Sequence, residues 1–173
     1  MNFKLKEGIA ILERTPQLLK DWLSGLPHNF VNNNEGPDTW SPYDVVGHLI
    51  QGEKDDWITR SQIILSGSKT PFHPFDRFAQ FEHSKGKPLD ELLDEFIELR
   101  KKSLDDLHAL NIQESDLAKT GIHPGLGEVT LRQLLSTWVA HDLGHIVQIS
   151  RTMARQYTNE VGPWTKYLSV FDR

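Results

Sequence analysis

The residues in this chain that could hold a metal ion are histidines spaced by one helical turn. His141 and His145 lie four residues apart in the segment AHDLGHIVQ. On an α-helix, residues four apart are separated by only about 40° around the axis, so both imidazoles can face one ion. Taken alone, such a pair could equally be two histidines that are hydrogen-bonded within a core or that lie at its margin.

The pair also lies on the apolar side of its helix. Leu134 and Trp138 share the side of His141 and His145, whereas Leu143 points away from it. An imidazole among apolar side chains costs free energy unless its nitrogens find partners. A zinc-like ion would bind one nitrogen of each histidine at about 2.0–2.1 Å, so metal binding would offset that cost.

His48 is the best candidate for a third ligand. It lies early in a second predicted helix, on a face with Val45, Gly52 and Ile63. Gly52, one turn further on, would leave space beside the imidazole. On its own, a histidine in this position is more often a satisfied core residue than a ligand, so the third ligand needs support from elsewhere in the sequence.

Two polar residues could contact the histidines and orient them. Gln148 lies on the metal-facing side of the fourth predicted helix, and Asp55 follows His48 on the same face of the second. Glu53 lies about 140° from His48 on an ideal helix, and we expect it to pair elsewhere or to face solvent. The first histidine of the pair is followed by Asp142, not by the glutamate of HExxH metalloproteases, so the pattern does not predict a protease of that type.

Three further residues are candidates for substrate binding. Arg100 lies inside an amphipathic helix and could hold an anionic substrate or pair with an acid such as Asp44 or Asp55. His73 belongs to a connection that could line a substrate entrance, and His123 precedes a turn that could approach the metal. A structural role is the more usual outcome for each of them, and the sequence assigns no catalytic residue.

Composition limits what the protein could bind. The chain has 173 residues, a net charge of −5 and no cysteine, so thiolate ligands are excluded. The length fits a single domain over residues 1–173. Lysine and arginine form no basic stripe, so nucleic acid is not an expected partner. No apolar run approaches the roughly 20 residues that span a bilayer, and no secretory signal is evident, so we expect a soluble, cytoplasmic protein that does not bind membranes.

Four long helices are predicted to position the histidines. Apolar periodicity indicates a first helix that is kinked or divided at Thr15-Pro16, followed by helices over about 42–65, 88–110 and 131–156. The connection over residues 67–88 contains four phenylalanines and is predicted to pack over one end of the helices. Residues 162–168 could form a short terminal helix that covers the bundle with Trp164 and Leu168. Because no convincing alternating strand is present, these elements predict an all-α fold, a four-helix bundle with long connections and a short C-terminal helix.

Three blocks of the sequence, which together span most of the chain, resemble those of a known family. The first runs from Trp40-Ser41-Pro42 through Val46-Gly47-His48-Leu49 to Glu53, the second combines 75–78 with 89–100, and the third is HPGLGEVTLRQLLSTWVAHDLGHIVQISR. The third block is the most specific, and together the blocks resemble the DinB/YfiT-like superfamily. The resemblance implies a bundle in which one histidine of the second helix and the HxxxH pair of the fourth bind one divalent ion, zinc or nickel above all. Those positions match His48, His141 and His145.

The resemblance also implies a range of functions. Family members include transferases that use low-molecular-weight thiols and others described as metal-dependent hydrolases, so we expect a small-molecule substrate and slightly favour thiol S-transfer. Hydrolysis is the alternative, because an ion with three protein ligands keeps a position open for water or a thiol. A third hypothesis is a non-catalytic, stress-associated bundle, monomeric or a homodimer, that the ion stabilises.

Overall fold

The computed structural model describes residues 2–172, most of which are helical. The α-helices are α1 Leu5–Leu12, α2 Thr15–Leu23, α3 His28–Asn32, α4 Pro42–Asp55, α5 Trp57–Ser66, α6 Ala79–Ser84, α7 Leu89–Ala109, α8 Leu131–Arg155 and α9 Thr158–Val161. Two strands, β1 Thr120–His123 and β2 Gly127–Thr130, precede α8, and short 3-10 helices cover Glu114–Ala118, Gly162–Tyr167 and Ser169–Phe171.

The long helices pack as a bundle with four members. α7 and α8 are continuous members, and the other two members are each made of two consecutive helices, α1 with α2 and α4 with α5. α1 packs on α8 and α2 on α7, while α4 contacts both α7 and α8 and α5 contacts α8. The predicted helical bundle is confirmed, and the first helix is divided at Thr15-Pro16 as predicted.

Capping boxes fix the start of the two helices that carry the histidines. Ser41 Oγ accepts the backbone N–H of Asp44, and the Asp44 carboxylate accepts the N–H of Ser41 at 2.9 Å. At α8 the same exchange joins Thr130 and Gln133, whose Oε1 accepts the Thr130 N–H at 2.8 Å. Because each box satisfies backbone donors that a helix start leaves free, the register of both helices is set locally.

The second predicted helix differs from the prediction, because it is interrupted at Asp56. This residue has φ −107° and ψ −71°, and it ends α4 and begins α5. The side chain that follows, Trp57, is buried and stacks on Trp138 with ring centroids 5.6 Å apart. A Cβ at Gly52 would lie 3.2 Å from Trp57 Nε1, so the space that this glycine leaves is filled by the indole.

A short β-hairpin lies where only a turn was predicted. β1 and β2 pair antiparallel from Thr120 opposite Thr130 to His123 opposite Gly127. Gly121 allows the hairpin to approach Phe72 of the long connection, because a Cβ there would lie 2.8 Å from the phenyl ring. The Phe72 backbone N–H in turn donates to the carbonyl of Ile122 at 2.8 Å. Part of the connection is thereby fixed beside the hairpin, and residues 79–84 of it form α6.

The predicted covering role of the C-terminal segment is wrong. Residues Gly162–Tyr167 form a 3-10 helix, but Trp164 is 68% exposed and Leu168 is 45% exposed. The core is closed instead by side chains of α2, α4, α7 and α8, among them Leu19, Val46 and Phe96. None of the helices in the described part of the chain combines the length and the apolar character that a bilayer-spanning segment needs.

Candidate metal centre

The three predicted histidines meet at one point between α4 and α8. Nε2 of His141 lies 3.0 Å from Nε2 of His48 and 3.0 Å from Nε2 of His145. Among residues 2–172, this is the group of three metal-ligating side chains whose donor atoms all lie within 4.8 Å of one another. Two nitrogens bound to one tetrahedral zinc are about 3.3 Å apart, so both separations from His141 lie within a few tenths of an ångström of those in a zinc site.

Burial keeps the three imidazoles neutral, which is the form that binds metal. Burial, together with the neighbouring histidines, lowers the pKa of His48 to about 4 and that of His141 to about 3. The pKa of His145 is also lowered, mainly by burial. At neutral pH no proton has to be displaced from these rings before a metal binds.

The second nitrogen of each ring differs in its surroundings. His145 Nδ1 lies 2.9 Å from Gln148 Oε1 and donates to it, which places the proton on Nδ1 and the lone pair on Nε2. The Nδ1 atoms of His48 and His141 are buried and have no hydrogen-bond partner within the described residues. Gln148 is therefore the side chain that fixes the tautomer of a candidate ligand.

Aromatic side chains surround the histidines and keep bulk water from them. The Trp40 ring lies 4.8 Å from the His48 ring between centroids, and Phe75 packs edge-on against the same imidazole at 5.5 Å. Trp57 makes a similar edge contact with His141 at 5.3 Å. A low local dielectric strengthens any charge interaction at this point.

A cavity of about 780 Å³ reaches the centre. Its wall includes two of the three histidines, His48 and His141, together with apolar side chains such as Phe72, Phe75 and Leu134. This size is that of pockets that hold small molecules, which run from about 300 to 1,000 Å³. An ion held by the histidines would therefore face a space large enough for a substrate.

Two charged residues of the cavity wall form a buried ion pair. Arg60 Nε lies 2.6 Å from Asp56 Oδ1, and the exposed fractions of the two side chains are 8% and 12%. Burial raises the pKa of Asp56 to about 6, and the neighbouring Arg60 opposes this rise only in part. Asp56 is thus a carboxylate that can take up a proton near neutral pH, in the same cavity as the histidines.

Comparison with known proteins identifies the family. The model of the DinB superfamily matches residues 11–149, a range that contains all three histidines. The chain belongs to the DinB superfamily. The resemblance seen in the sequence is thereby confirmed. No curated protein matches the chain.

A solved structure has the same fold as this DinB-superfamily chain. It is YfiT from Bacillus subtilis, described as a probable metal-dependent hydrolase with an unusual four-helix bundle topology. The TM-score is 0.73 at 21% identity, and the match covers 90% of this chain and 93% of YfiT. At this identity the likeness establishes the bundle fold.

The two predicted orienting residues are placed differently. Gln148 contacts His145, as described above. Asp55 is exposed and accepts a hydrogen bond from Gln51, so it lies outside the histidine cluster. The interruption at Asp56 begins directly after it, and the side chain ends on the solvent side of α4.

Arg100 does not reach the cavity, and its predicted partners are replaced by others. Its guanidinium is buried and donates to Asp142 at 2.7 and 3.0 Å and to Glu53 at 2.8 Å. Asp44 is instead used in the cap of α4. Glu53 pairs away from His48 as expected but is buried, so the alternative that it faces solvent is wrong.

The two other candidate histidines, His73 and His123, lie in different places. His73 is exposed, and its Nδ1 lies 2.9 Å from the carbonyl of the next residue, Pro74. It lines a different, smaller depression, whereas His123 lines the cavity that contains His48 and His141.

Sequence reasoning missed Asp56 and Arg60. On an uninterrupted helix Arg60 would lie about 120° from His48, which gave no reason to place it near the histidines. Only the local distortion at Asp56 brings this part of α5 to the cavity wall. An aspartate followed by a buried tryptophan was the available signal, but it does not by itself indicate a helix interruption.

Proposed function

We propose that this protein is a metal-dependent hydrolase of small molecules, with His48, His141 and His145 as the ligands of one divalent ion. The observation that carries the proposal is that two of these histidines lie in the wall of an open cavity of about 780 Å³. A purely structural ion is usually enclosed by four protein ligands, whereas a catalytic ion keeps a position open. The description of YfiT as a metal-dependent hydrolase supports the same class of reaction.

The ligand set favours zinc or nickel. Three neutral imidazoles suit borderline-soft divalent metals and are poor ligands for magnesium or calcium, which prefer oxygen. When bound, such an ion lowers the pKa of water or of a thiol toward neutrality and polarises a carbonyl group. Gln148 would hold His145 in the tautomer that binds it, through the 2.9 Å contact at Nδ1.

Asp56 is the residue we assign to proton transfer. Its Oδ1 accepts no hydrogen bond of good geometry within the described residues, although Arg60 Nε lies close to it. With a pKa of about 6, the carboxylate is mostly ionised at neutral pH and can accept a proton from a nucleophile in the cavity. Phe72, Phe75 and Leu134 would bind the apolar part of the substrate and exclude water around it.

Thiol S-transfer is the second candidate. The chain contains no cysteine, so a thiol nucleophile would have to enter as a substrate. The cavity volume of about 780 Å³ is large for one small ester and leaves space for a second molecule. We rank S-transfer below hydrolysis because a base such as Asp56 serves the deprotonation of water. A thiol loses its proton readily once bound to a metal and would not need this base.

The test begins with metal content and continues with turnover. Untagged protein, purified without added ions, should contain about one equivalent of zinc or nickel per chain by mass spectrometry, and His141→Ala should contain none. The loaded protein should hydrolyse a panel of aryl esters and amides, and chelation should abolish this activity. Asp56→Asn should keep the metal and lose at least about tenfold in kcat.

Controls separate the candidates. His108→Ala removes an exposed histidine of α7 and should change neither metal content nor turnover. Conjugation of an electrophilic dye to small thiols, without ester hydrolysis, would select S-transfer over hydrolysis. Metal binding with neither activity would favour the non-catalytic bundle, and wild-type metal content in His141→Ala would refute the assigned site.

A further inference from the structure

Arg60 is a buried cation that keeps hydrogen-bond donors free beside the metal centre. Its Nε lies against Asp56 Oδ1, and Nη2 makes only a long contact of 3.5 Å with the carbonyl of His73. Within residues 2–172, no hydrogen-bond acceptor is found for Nη1. A guanidinium offers five N–H donors, so donors of Arg60 that the chain does not use can serve an acceptor in the cavity. The side chain lines the cavity, so an acceptor there would satisfy it.

His123 supplies a second donor in the same cavity. Its Nδ1 accepts the backbone N–H groups of Gly125 and Leu126, both at 3.1 Å. Nδ1 therefore carries the lone pair, and in the neutral ring the proton lies on Nε2. Burial lowers the pKa of His123, and the charge of Arg60 lowers it further, so the ring is neutral at pH 7 and Nε2–H is a donor.

One phenylalanine, Phe72, contacts both donor side chains. Arg60 Cζ lies 5.3 Å from the centre of the Phe72 ring, and the His123 ring packs edge-on against Phe72 at 6.3 Å. Phe72 is itself fully buried and fixed by the hairpin at Gly121. The charged donor and the neutral donor are thus positioned by packing and need little rearrangement to bind an acceptor.

We propose that Arg60 and His123 form a subsite for a carboxylate group of the substrate, within the cavity that leads to His48 and His141. That the bound molecule is a substrate rests on the proposed hydrolase function, whereas the binding of its carboxylate does not. Asp56 decides the type of anion, because it already neutralises part of the charge of Arg60. Because the Arg60–Asp56 pair is close to neutral, a bound carboxylate leaves one negative charge in this poorly solvated cavity, whereas a phosphate dianion would leave two.

The substrate class follows from the rest of the wall. The cavity that contains the two donors and the metal ligands is also lined by the apolar residues Phe75, Val129 and Leu134. We therefore infer a small carboxylic acid with an apolar middle part, whose hydrolysable group lies near the histidines while its carboxylate is held by Arg60 and His123.

The experiment measures binding to metal-free protein, so that the ion cannot hold the carboxylate. Phenylacetate, phenylacetamide and phenyl phosphate are titrated into chelator-treated protein by calorimetry. We expect phenylacetate to bind at least about tenfold more tightly than the neutral amide, the range that a hydrogen bond to a charged group supplies. Equal affinities, or no binding of phenylacetate at millimolar concentration, would overturn the proposal. Tighter binding of phenyl phosphate would overturn the assignment to a carboxylate.

Variants of Arg60 and His123 test whether these residues cause the preference for the acid over the amide. Arg60→Gln should abolish the preference for acid over amide, Arg60→Lys should keep part of it, and His123→Phe should reduce it a few-fold. Arg77→Gln is the matched control, because Arg77 is a cation near His48 that lines a different cavity. An unchanged preference in Arg60→Gln, or an equal loss in Arg77→Gln, would overturn the subsite. If Arg60→Gln does not fold, the comparison of acid and amide binding in Arg60→Lys and in the wild type still tests the subsite.

The outcomes for binding and for turnover are independent. A missing carboxylate preference in metal-free protein rejects the subsite and leaves hydrolysis untouched. An intact preference without metal-dependent turnover of any ester or amide rejects the hydrolase and leaves the subsite in place. Where both hold, Arg60→Gln should raise KM for esters that carry a carboxylate by about tenfold and leave KM for neutral esters unchanged.

Discussion

Helices α4 and α8 each contribute to two buried polar clusters that differ in how charge is balanced. One cluster is His48, His141 and His145, and the other is Glu53, Arg100 and Asp142, with Asp142 next to His141 in the chain. In the second cluster each group faces an opposite charge, and Arg100 Nη1 also donates to the carbonyl of Leu12 at 2.8 Å. In the first, three nitrogen atoms of the same kind face one another.

The difference separates a structural cluster from a functional one. The Arg100 guanidinium carbon lies 4.9 Å from the Phe96 ring centre and 5.2 Å from that of Trp138, two rings that belong to separate clusters of buried apolar side chains, so it lies between these clusters. Its charge is compensated within the chain, and no external ligand is needed. The histidine cluster contains no opposite charge, and the proposed ion would be its ligand. The clusters should therefore respond oppositely to mutation, to metal and to pH.

The largest effect is expected from breaking the cluster of Glu53, Arg100 and Asp142. Arg100→Met would leave Glu53 and Asp142 as buried carboxylates without their cation, and we expect the free energy of unfolding to fall by about 3–5 kcal/mol. Denaturant unfolding of chelator-treated protein measures it. Lys101→Met, at the next residue, removes an exposed cation paired with Asp105 and should cost less than about 1 kcal/mol. A loss as small in Arg100→Met would contradict the structural role of the cluster.

Metal should stabilise the protein through the histidine cluster alone. An ion that binds only the folded state adds about 4 kcal/mol to the free energy of unfolding at 1,000 times its Kd. We expect this gain in the wild type and none in His141→Ala. The measurement is unfolding at several free zinc concentrations. His108→Ala should behave as the wild type, and a metal gain that persists in His141→Ala would place the ion elsewhere.

Much of this comparison could be predicted from the sequence, because its basis is local. Apolar periodicity and capping residues determine where α4 and α8 begin, and the spacing of His141 and His145 determines that they share a face. The third ligand, His48, required the family resemblance, because no local pattern connects two helices that are distant in sequence. Gln148 was found from its position on the same helix face as the pair.

The remaining features depend on packing between elements. Which acids meet Arg100 is decided by the contacts of α7 with α4 and α8, so the pairing with Asp44 or Asp55 was not correct. The interruption at Asp56 changes the direction of every later side chain on α5, including Arg60. The strands of the hairpin, at four residues each, are too short for alternation to be recognised.

Acid should destabilise the metal-free protein through the histidine cluster. The folded pKa of His48 is about 4 and that of His141 about 3, both below the unfolded value of 6.5. The unfolded chain therefore binds more protons between these values, and stability falls as pH decreases from about 6.5 to about 4, by about 3 kcal/mol for His48 alone. Denaturant unfolding at a series of pH values, after chelation, measures the slope.

The same measurement on variants assigns the slope. Replacing His141 by Gln removes one group that binds a proton only in the unfolded chain over this range, so the decline between about pH 6.5 and 4 should become shallower. Saturating zinc should steepen the decline of the loaded wild type, because protons then compete with the ion for the same nitrogens. A slope that is identical in His141→Gln and in the wild type would contradict the buried, neutral state of this ring.

The smallest effect distinguishes the two residues that the sequence proposed as supports of the histidines. Gln148 Oε1 accepts the Nδ1 proton of His145 at 2.9 Å, whereas Asp55 is exposed and bonded to Gln51. Gln148→Leu should weaken metal affinity by about 10–100-fold, because His145 then loses the partner that fixes its tautomer and orientation. Asp55→Asn should change the affinity less than about twofold. Competition with a chromogenic chelator measures both.

The size of the Gln148 effect follows from the way the rings are held. The Nδ1 atoms of His48 and His141 have no hydrogen-bond partner within residues 2–172, so packing against Trp40, Phe75 and Trp57 orients those two rings. His145 has a hydrogen-bond partner at Nδ1, and that partner is Gln148. Gln148→Glu, which keeps the acceptor and adds a charge, should restore or raise affinity. If it weakens binding as much as leucine does, the contact acts through packing and the tautomer argument fails.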